Sequence, residues 1–137
     1  MHCQEQKFLI GFLQSITDIP NAEVEKVLDV FHVSELQKNR FLVSAGEVPT
    51  TLAFVVSGIL RLYDISDSGF EFTKSFCVKG DMAAAYTALL NNEPSKLFIQ
   101  TLEDSQLLTA NYEEYRAVTS ESSCWQKVNQ NIAERLF

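Results

Sequence analysis

The chain contains 137 residues, 18 of them acidic and 11 basic, which gives a formal net charge of −7. This excess of carboxylates argues against direct binding of nucleic acid or of an anionic membrane surface, because both need clustered lysine and arginine side chains. No apolar run reaches the ~20 residues that cross a bilayer, and the N-terminus lacks the pattern of a cleavable leader. We therefore expect a cytoplasmic, single-domain protein without a membrane partner.

The first third of the chain has helical periodicity. Apolar residues recur at helical spacing within residues 4–16, which predicts one amphipathic helix. Asn21 is the predicted N-cap of a second helix. The predicted buried stripe of that helix consists of Val24, Val27, Leu28 and Phe31. We assign residues 1–33 to N-terminal helices.

Residues 34–110 have the sequence pattern of β-structure. Short β-rich runs alternate with turn signals, and Gly46, Gly58, Gly69 and Gly80 follow one another at intervals of 12, 11 and 11 residues. About seven strands without long intervening helices predict an antiparallel sandwich or barrel. Residues 82–90 interrupt the strands and are predicted to be a helical insert.

One predicted strand, within residues 70–78, alternates strongly. Phe70, Phe72, Phe76 and Val78 share one face of a regular strand, and we expect that face to contribute to the core. Lys74 interrupts the apolar face, so the strand either leaves the core there or holds a lysine whose ammonium group reaches solvent.

Residues 111–137 return to helix. Asn111 and Glu114 have the spacing of a capping box, and Ser120 is the predicted cap of a last helix. That helix carries a narrow apolar seam formed by Trp125, Val128, Ile132 and Leu136. The seam could pack on the roll of the same chain or pair with a second copy, and we favour a homodimer. Because no stop signal ends the pattern, we expect a longer protein.

The side chains that usually carry chemistry are sparse. Cys3, Cys77 and Cys124 lie too far apart in sequence for a disulfide framework, a zinc site or an iron–sulfur cluster. The chain has two histidines, no nucleophile–base–acid set and no glycine-rich nucleotide loop. We predict no metal site, no catalytic residue and no enzymatic activity.

The order of helices, β-roll with helical insert and seam helix resembles the cyclic-nucleotide-binding domain of the Crp/Fnr family of bacterial transcription regulators. The resemblance is most specific in "FVVSGILRLYDISDSGFEFTKSFCVKGD", residues 54–81, and it includes the turn in "SAGEVPTTLAFVVSG". It implies a mostly β fold with flanking helices, an antiparallel β jelly roll of the double-stranded β-helix type. It also implies that the last helix forms the dimer interface and precedes a DNA-binding domain, which is absent from this sequence.

The resemblance places a phosphate-binding cassette between the fifth and sixth strands. Gly80 matches the family's glycine, and Asp81 stands where the family has glutamate. Ser95, Lys96 and Leu97 stand where the family has an arginine, a hydroxyl residue and a small residue. Losing two charge-assisted hydrogen bonds of roughly 1.5–3 kcal/mol each would weaken binding by about two to four decades. The candidate ligand-binding residues are Gly80, Asp81, Met82, Ser95, Lys96, Leu97 and Arg61.

The sequence therefore predicts the effector-sensing domain of a Crp/Fnr-type regulator, with DNA reached only through the missing domain. We predict no resident cofactor. Cyclic AMP and cyclic GMP are the ligands that the resemblance implies, but the cassette residues do not favour them. Another small effector, or an insert that serves packing alone, also remains open. The alternative function is a freestanding jelly-roll module that binds a ligand or a protein and has no role at DNA.

Overall fold

The computed structural model describes residues 2–136, which form a β-roll flanked by helices. The helices are α1 (Gln4–Ile16), α2 (Asn21–Leu28), α3 (Tyr86–Asn91), α4 (Tyr112–Thr119) and α5 (Gln126–Leu136), and a 3-10 turn (Ser123–Trp125) leads into α5. The strands are β1 (Phe31–Leu36), β2 (Phe41–Val43), β3 (Thr51–Ser57), β4 (Leu60–Ile65), β5 (Glu71–Cys77), β6 (Met82–Ala83), β7 (Phe98–Thr101) and β8 (Ser105–Asn111).

The eight strands of residues 2–136 form two four-stranded sheets. One sheet has the order β1-β8-β3-β6 and the other has the order β2-β7-β4-β5, and the neighbouring strands are antiparallel. This arrangement confirms the predicted antiparallel β jelly roll with flanking helices. Among residues 2–136, no helix has both the length and the apolar character that a membrane crossing requires.

The core has two parts, one on each side of β3. Leu52, Phe54 and Val56 point toward the helices and pack with the buried residues of α1, α2, α4 and α5. Ala53 and Val55 point the other way, into the interior of the roll. A strand with both faces covered reads as a continuous apolar run, and "LAFVV" is such a run.

Three predicted boundaries differ from the structure. Phe31 begins β1, where it pairs with Ala110, so the strands span 31–111 rather than 34–110. Asn21 is the first helical residue of α2, and Pro20 occupies the N-cap position. Met82 and Ala83 pair with β3 and are therefore strand, so the helical insert begins only at Tyr86.

The ends of α4 and α5 test the predicted caps. The Asn111 side chain accepts a hydrogen bond from the Glu114 amide at 3.1 Å, which confirms the predicted cap of α4. The prediction for Ser120 was wrong, because Ser120 lies at the C-terminal end of α4. Ser122 instead caps the 3-10 turn, and its hydroxyl accepts from the Cys124 amide. α5 therefore begins at Gln126, directly after this turn.

The predicted dimer seam lies inside the protein. Trp125, Val128, Ile132 and Leu136 are all buried against the chain's own α1, β6 and neighbouring core residues. This is the intramolecular packing that the sequence left open, and it corrects the assignment of these four residues to an intermolecular seam. A helix with an apolar stripe packs on whichever apolar surface lies next to it, and here the roll supplies that surface.

The predicted core face of β5 is exposed. Phe70, Phe72, Phe76 and Val78 are all exposed, and Phe70 keeps 67% of its accessible surface. Two features explain the error. β5 lies at the edge of its sheet, and a bulge inserts Lys74 as an extra residue between Thr73 and Ser75. Phe72 pairs with Asp64 and Phe76 pairs with Arg61, so these two phenylalanines lie on opposite faces of the hairpin.

Candidate functional site

A cavity of about 320 Å³ lies between α3, the segment that follows it, and the β4–β5 hairpin. It lies at the C-terminal part of the segment in which the resemblance places a phosphate-binding cassette. The lining residues are Asp64, Lys74, Ala85, Tyr86, Thr87, Ala88, Glu93, Pro94, Ser95, Lys96 and Leu97. We call this space the effector cavity.

The predicted triplet Ser95–Lys96–Leu97 lies in the wall of the effector cavity. The Ser95 hydroxyl donates to the Leu97 carbonyl at 2.8 Å and accepts from the Leu97 amide at 2.9 Å. The Ser95 backbone is held by Gly46 and Glu47, at 2.8 Å and 2.7 Å. Ser95 therefore shapes the wall through bonds within its own segment, while Lys96 stays exposed at the rim.

The predicted entry of the cassette, Gly80–Asp81–Met82, does not line this cavity. Gly80 has a φ of +92°, and the Asp81 carboxylate accepts from the Val78 amide at 2.8 Å. Backbone hydrogen bonds from Gly80 to Val55 and from Val55 to Asp81, at 2.8 Å and 2.9 Å, fasten the turn to β3. Met82 is buried in the core. In this arrangement the Asp81 carboxylate stabilises a turn.

Arg61 also lies away from the effector cavity. Its guanidinium donates to Thr73 at 2.9 Å and to Glu71 at 2.7 Å, and it lies over the Tyr63 ring at 4.2 Å. All four side chains lie on the outer face of the β4–β5 hairpin. Arg61 therefore joins β4 to β5 on the outer face and does not reach the effector cavity.

Lys74 is one of the lining residues that the sequence did not place among the candidates. It is the extra residue of the β5 bulge and lines the effector cavity together with Asp64. Its ammonium group donates to the Leu136 carbonyl at the end of α5, at 2.7 Å. The signal in the sequence was the lysine that interrupts an apolar alternation, but its partner is 62 residues away. Lys74 thus connects the cavity wall with the last helix.

The electrostatic character of the effector cavity is mixed. Its lining residues include two lysines, Lys74 and Lys96, and two carboxylates, Asp64 and Glu93. Burial, reinforced by a hydrogen bond with Tyr112, raises the pKa of Tyr86 to about 12. The cavity can accept a polar ligand, but its charged groups provide no excess of positive charge to attract a phosphate.

Cys77 lies at the end of β5, and its environment keeps the thiol protonated. Burial, and to a smaller extent the charge of Asp81, raises the pKa of Cys77 to about 12, although Lys74 acts in the opposite direction. A neutral, buried thiol is a poor nucleophile and a poor metal ligand. Across residues 2–136, no group of three or more His, Cys, Asp or Glu side chains has the arrangement of a metal site.

The family follows from the sequence match to a family model. The model described as "Cyclic nucleotide-binding domain" matches residues 33–122, which is more than half of the 137-residue chain. The chain therefore belongs to the cyclic nucleotide-binding domain family. The comparison with curated protein sequences yields no match.

Solved structures share the fold. The catabolite activator protein of Thermus thermophilus is 22% identical, with a TM-score of 0.75 over 91% of this chain and 58% of that chain. The sensor domain of the transcriptional regulator DNR from Pseudomonas aeruginosa is 16% identical, with a TM-score of 0.78 over 96% and 87%. A regulator assigned to the Crp/Fnr family from Eubacterium rectale is 22% identical, with a TM-score of 0.72 over 88% and 56%.

These matches confirm the predicted resemblance at the level of domain family and fold. The chain spans 58% of the length of the Thermus protein but 87% of the DNR sensor domain. Its fold is therefore similar, over nearly its whole length, to that of the DNR sensor domain. Activities of the longer proteins do not transfer to it by fold alone.

Proposed function

We propose that this chain is the effector-sensing domain of a Crp/Fnr-type transcription regulator, and that it relays occupancy of the effector cavity to α5. The observation that carries the proposal is Lys74. It lines the effector cavity and also donates to the Leu136 carbonyl of α5 at 2.7 Å. One side chain therefore belongs both to the cavity and to the attachment of the last helix.

The relay works by competition for the Lys74 ammonium. A ligand that offers this group an anionic or strongly polar acceptor draws it away from the Leu136 carbonyl. A hydrogen bond to a charged group contributes roughly 1.5–3 kcal/mol, enough to change the balance between two positions of α5 by about 10- to 100-fold. A ligand that binds the two positions differently shifts their populations, and a DNA-binding domain attached to α5 would follow.

We expect the effector to differ from cyclic AMP and cyclic GMP. The cations at the cavity are lysines, which bind phosphate as point charges and do not form the two-pronged contact of an arginine. Ser95 and Asp81 already use their polar atoms within their own turns. Glu93 and Asp64 would repel the cyclic phosphate from the same wall.

Calorimetric titration of the chain with cyclic AMP and with cyclic GMP tests this expectation. We expect dissociation constants weaker than ~100 µM, since the arginine fork is missing. Asp81→Ala is the informative variant, and Lys127→Ala on the exposed face of α5 is its matched control. Micromolar binding that Asp81→Ala abolishes and Lys127→Ala preserves would mean that the cassette binds cyclic nucleotides, and our expectation would be wrong.

The link to DNA is tested by the coding sequence that follows codon 137. A helix-turn-helix domain there is the expected result, and electrophoretic mobility shift of its own promoter by the full protein is the functional check. An unrelated domain would favour the alternative of a jelly-roll module that binds a ligand or protein without a role at DNA.

Homodimerisation stays part of the proposal but needs other residues than the buried seam. The exposed Phe70 and Phe72 at the β4–β5 hairpin are candidates, because large exposed apolar side chains are favoured at interfaces. Light scattering during size-exclusion chromatography measures the molar mass of the protein in solution and so distinguishes a monomer from a dimer. We expect a dimer at ~100 µM that Phe72→Ser weakens and the exposed control Val48→Ser does not. A wild-type protein that stays monomeric would contradict the dimer.

A further inference from the structure

A second cavity, of about 200 Å³, lies between α4, α5, β3 and α3. Its lining residues are Leu52, Tyr86, Tyr112, Tyr115, Arg116, Thr119, Asn129 and Ile132. We call this space the tyrosine cavity. Tyr86 lines both the tyrosine cavity and the effector cavity, and the two cavities share no other lining residue.

One side of the tyrosine cavity is polar and ordered by a chain of hydrogen bonds. The Tyr115 hydroxyl donates to Asn129 Oδ1 at 2.7 Å, and Asn129 Nδ2 donates to the Thr119 hydroxyl at 3.2 Å. The Thr119 hydroxyl in turn donates to the Tyr115 carbonyl at 2.9 Å. A phenol oxygen that donates can still accept, and an amide group has a second hydrogen and a second lone pair. This side therefore has capacity for one more polar partner.

The other side of the tyrosine cavity is apolar and aromatic. Leu52 and Ile132 are buried aliphatic side chains, and the rings of Tyr86 and Tyr112 meet edge to face with centroids 6.0 Å apart. Burial raises the pKa of Tyr115, and burial together with the Tyr112 hydrogen bond raises that of Tyr86 to about 12. These phenols are uncharged at neutral pH. The charged lining residue, Arg116, extends into solvent.

The volume of the tyrosine cavity limits the size of the ligand that it can bind. An apolar cavity of ~150 Å³ engineered into another protein stays dry and binds benzene. We propose that the tyrosine cavity, at about 200 Å³, is a second binding site for a small uncharged aromatic molecule that carries one hydroxyl group. The ring lies between Leu52, Ile132 and the tyrosines, and the hydroxyl bonds to the Asn129 amide.

A ligand in the tyrosine cavity would affect the position of α5. The walls come from α4 and α5, joined by the Tyr115–Asn129 hydrogen bond, so an occupant stabilises the docked position of α5. The site does not depend on the proposed effector cavity or on any role at DNA. Binding at one cavity can be present while the other remains empty.

Phenol and fluorobenzene are the probes that test the site. Each is titrated into the 137-residue chain while ¹H–¹⁵N spectra follow the side-chain amide of Asn129 and the backbone of α4 and α5. We expect saturable shifts at these positions with a phenol dissociation constant of ~1 mM or tighter, as small ligands of this size allow. Fluorobenzene is expected to bind about tenfold more weakly, because it lacks the donor.

Two variants separate the polar and the apolar contributions. Asn129→Leu removes the amide while keeping the number and branching of the side-chain heavy atoms, and it is expected to lower phenol affinity about tenfold without lowering that of fluorobenzene. Leu52→Phe fills the space and is expected to abolish both. Lys96→Ala, at the rim of the effector cavity, is the control that leaves both affinities unchanged.

Three results would overturn the proposal. One is the absence of saturable shifts in the wild-type chain up to ~10 mM phenol, a result that does not depend on any variant folding. Another is a set of shifts confined to Lys96 and the effector cavity. The third is a crystal of the protein soaked in phenol in which ordered water alone fills the tyrosine cavity.

Discussion

β3 and β5 have the same length of seven residues and opposite environments. β3 lies between β8 and β6, and helices cover one face while the roll interior covers the other. β5 lies at the edge of the second sheet, paired with β4, and within Glu71–Cys77 Cys77 alone is buried. β3 (TLAFVVS) is mostly apolar, whereas β5 (EFTKSFC) alternates phenylalanine with polar residues. Phe54 is buried in β3 while Phe72 and Phe76 are exposed in β5, so position in the sheet as well as composition decides which phenylalanines are buried.

Under the proposed relay, the two strands also have different roles. β3 anchors the turn at Gly80 and carries Phe54, whose ring centroid lies 5.5 Å from that of Phe12 in α1. β5 has few packing partners and carries Lys74, which joins the effector cavity to α5. Elements with few buried contacts open at low free-energy cost, and moving parts come from them. We therefore expect β3 to define stability and β5 to respond to ligand.

The largest expected effect contrasts two phenylalanines. Phe54→Ala in β3 removes a fully buried ring and should lower the free energy of unfolding by about 4 kcal/mol. Phe72→Ala in β5, where 59% of the side chain is exposed, should change it by less than ~0.5 kcal/mol. Urea unfolding of the dilute, monomeric protein, followed by circular dichroism, measures both. Equal losses would mean that β5 is as well packed as β3.

The next effect compares the glycines at the turns that follow β3 and β4. A Cβ on Gly58, whose φ is +101°, would lie 2.7 Å from Ser105 Cα, so Gly58→Ala should cost about 3 kcal/mol. Gly69 has a φ of +89° but open space around it, and Gly69→Ala should cost about 1 kcal/mol from strain alone. Thermal melts of the two variants provide the comparison. A Gly69→Ala loss as large as that of Gly58→Ala would refute the role of Ser105.

A smaller effect is expected from the cap of α4, which lies at the end of the sheet that contains β3. Asn111 follows the buried part of β8 and caps α4 through the Glu114 amide. Asn111→Ala should lower the free energy of unfolding by about 1 kcal/mol. Glu113→Ala, on the exposed surface of the same helix, is the control and should have little effect. Equal destabilisation by both substitutions would show that the cap contributes nothing particular.

The smallest effect concerns the buried end of β5. The Cys77 pKa rises from 9.0 to about 12 on folding, so the unfolded thiol ionises first as the pH rises. The stabilising contribution is complete below pH 9 and is lost as the pH rises from 9 to 12. At pH ~9.5 we expect the wild type to have lost up to about 1 kcal/mol more than the Cys77→Ala variant. Urea unfolding at pH ~7.5 and ~9.5 measures this; parallel pH profiles would contradict a buried thiol.

The elements that local sequence determines were predicted well. The periodicity of residues 4–16 predicted α1 because successive turns of one helix bury the same face. The cap at Asn111 was also visible, since both partners lie within four residues. In contrast, Phe31 fits a helical stripe by spacing, and its pairing with Ala110 makes it strand. Pairing with a distant strand overrides local preference.

The candidate site was predicted only in part for a related reason. Ser95, Lys96 and Leu97 could be placed by counting along a strand, and the cavity contains them. The role of Asp81 could not be predicted in this way. Its carboxylate accepts a hydrogen bond from the Val78 amide, and the position of a residue in the sequence does not show which group its side chain will bond. Lys74 was conspicuous in the sequence, but the bulge that turns it toward Asp64 and Leu136 depends on the register between β4 and β5.

Hydrogen exchange of α5 in the Lys74→Met variant tests the central claim most directly. Methionine keeps an unbranched apolar side chain, one atom shorter than lysine, and removes the ammonium that bonds to Leu136. We predict that the amides of the last turn of α5 exchange about tenfold faster in this variant, while those of β3 keep their wild-type rates. The exposed control Lys127→Met should match the wild type. Unchanged exchange in α5 of Lys74→Met would contradict a connection between the effector cavity and the last helix.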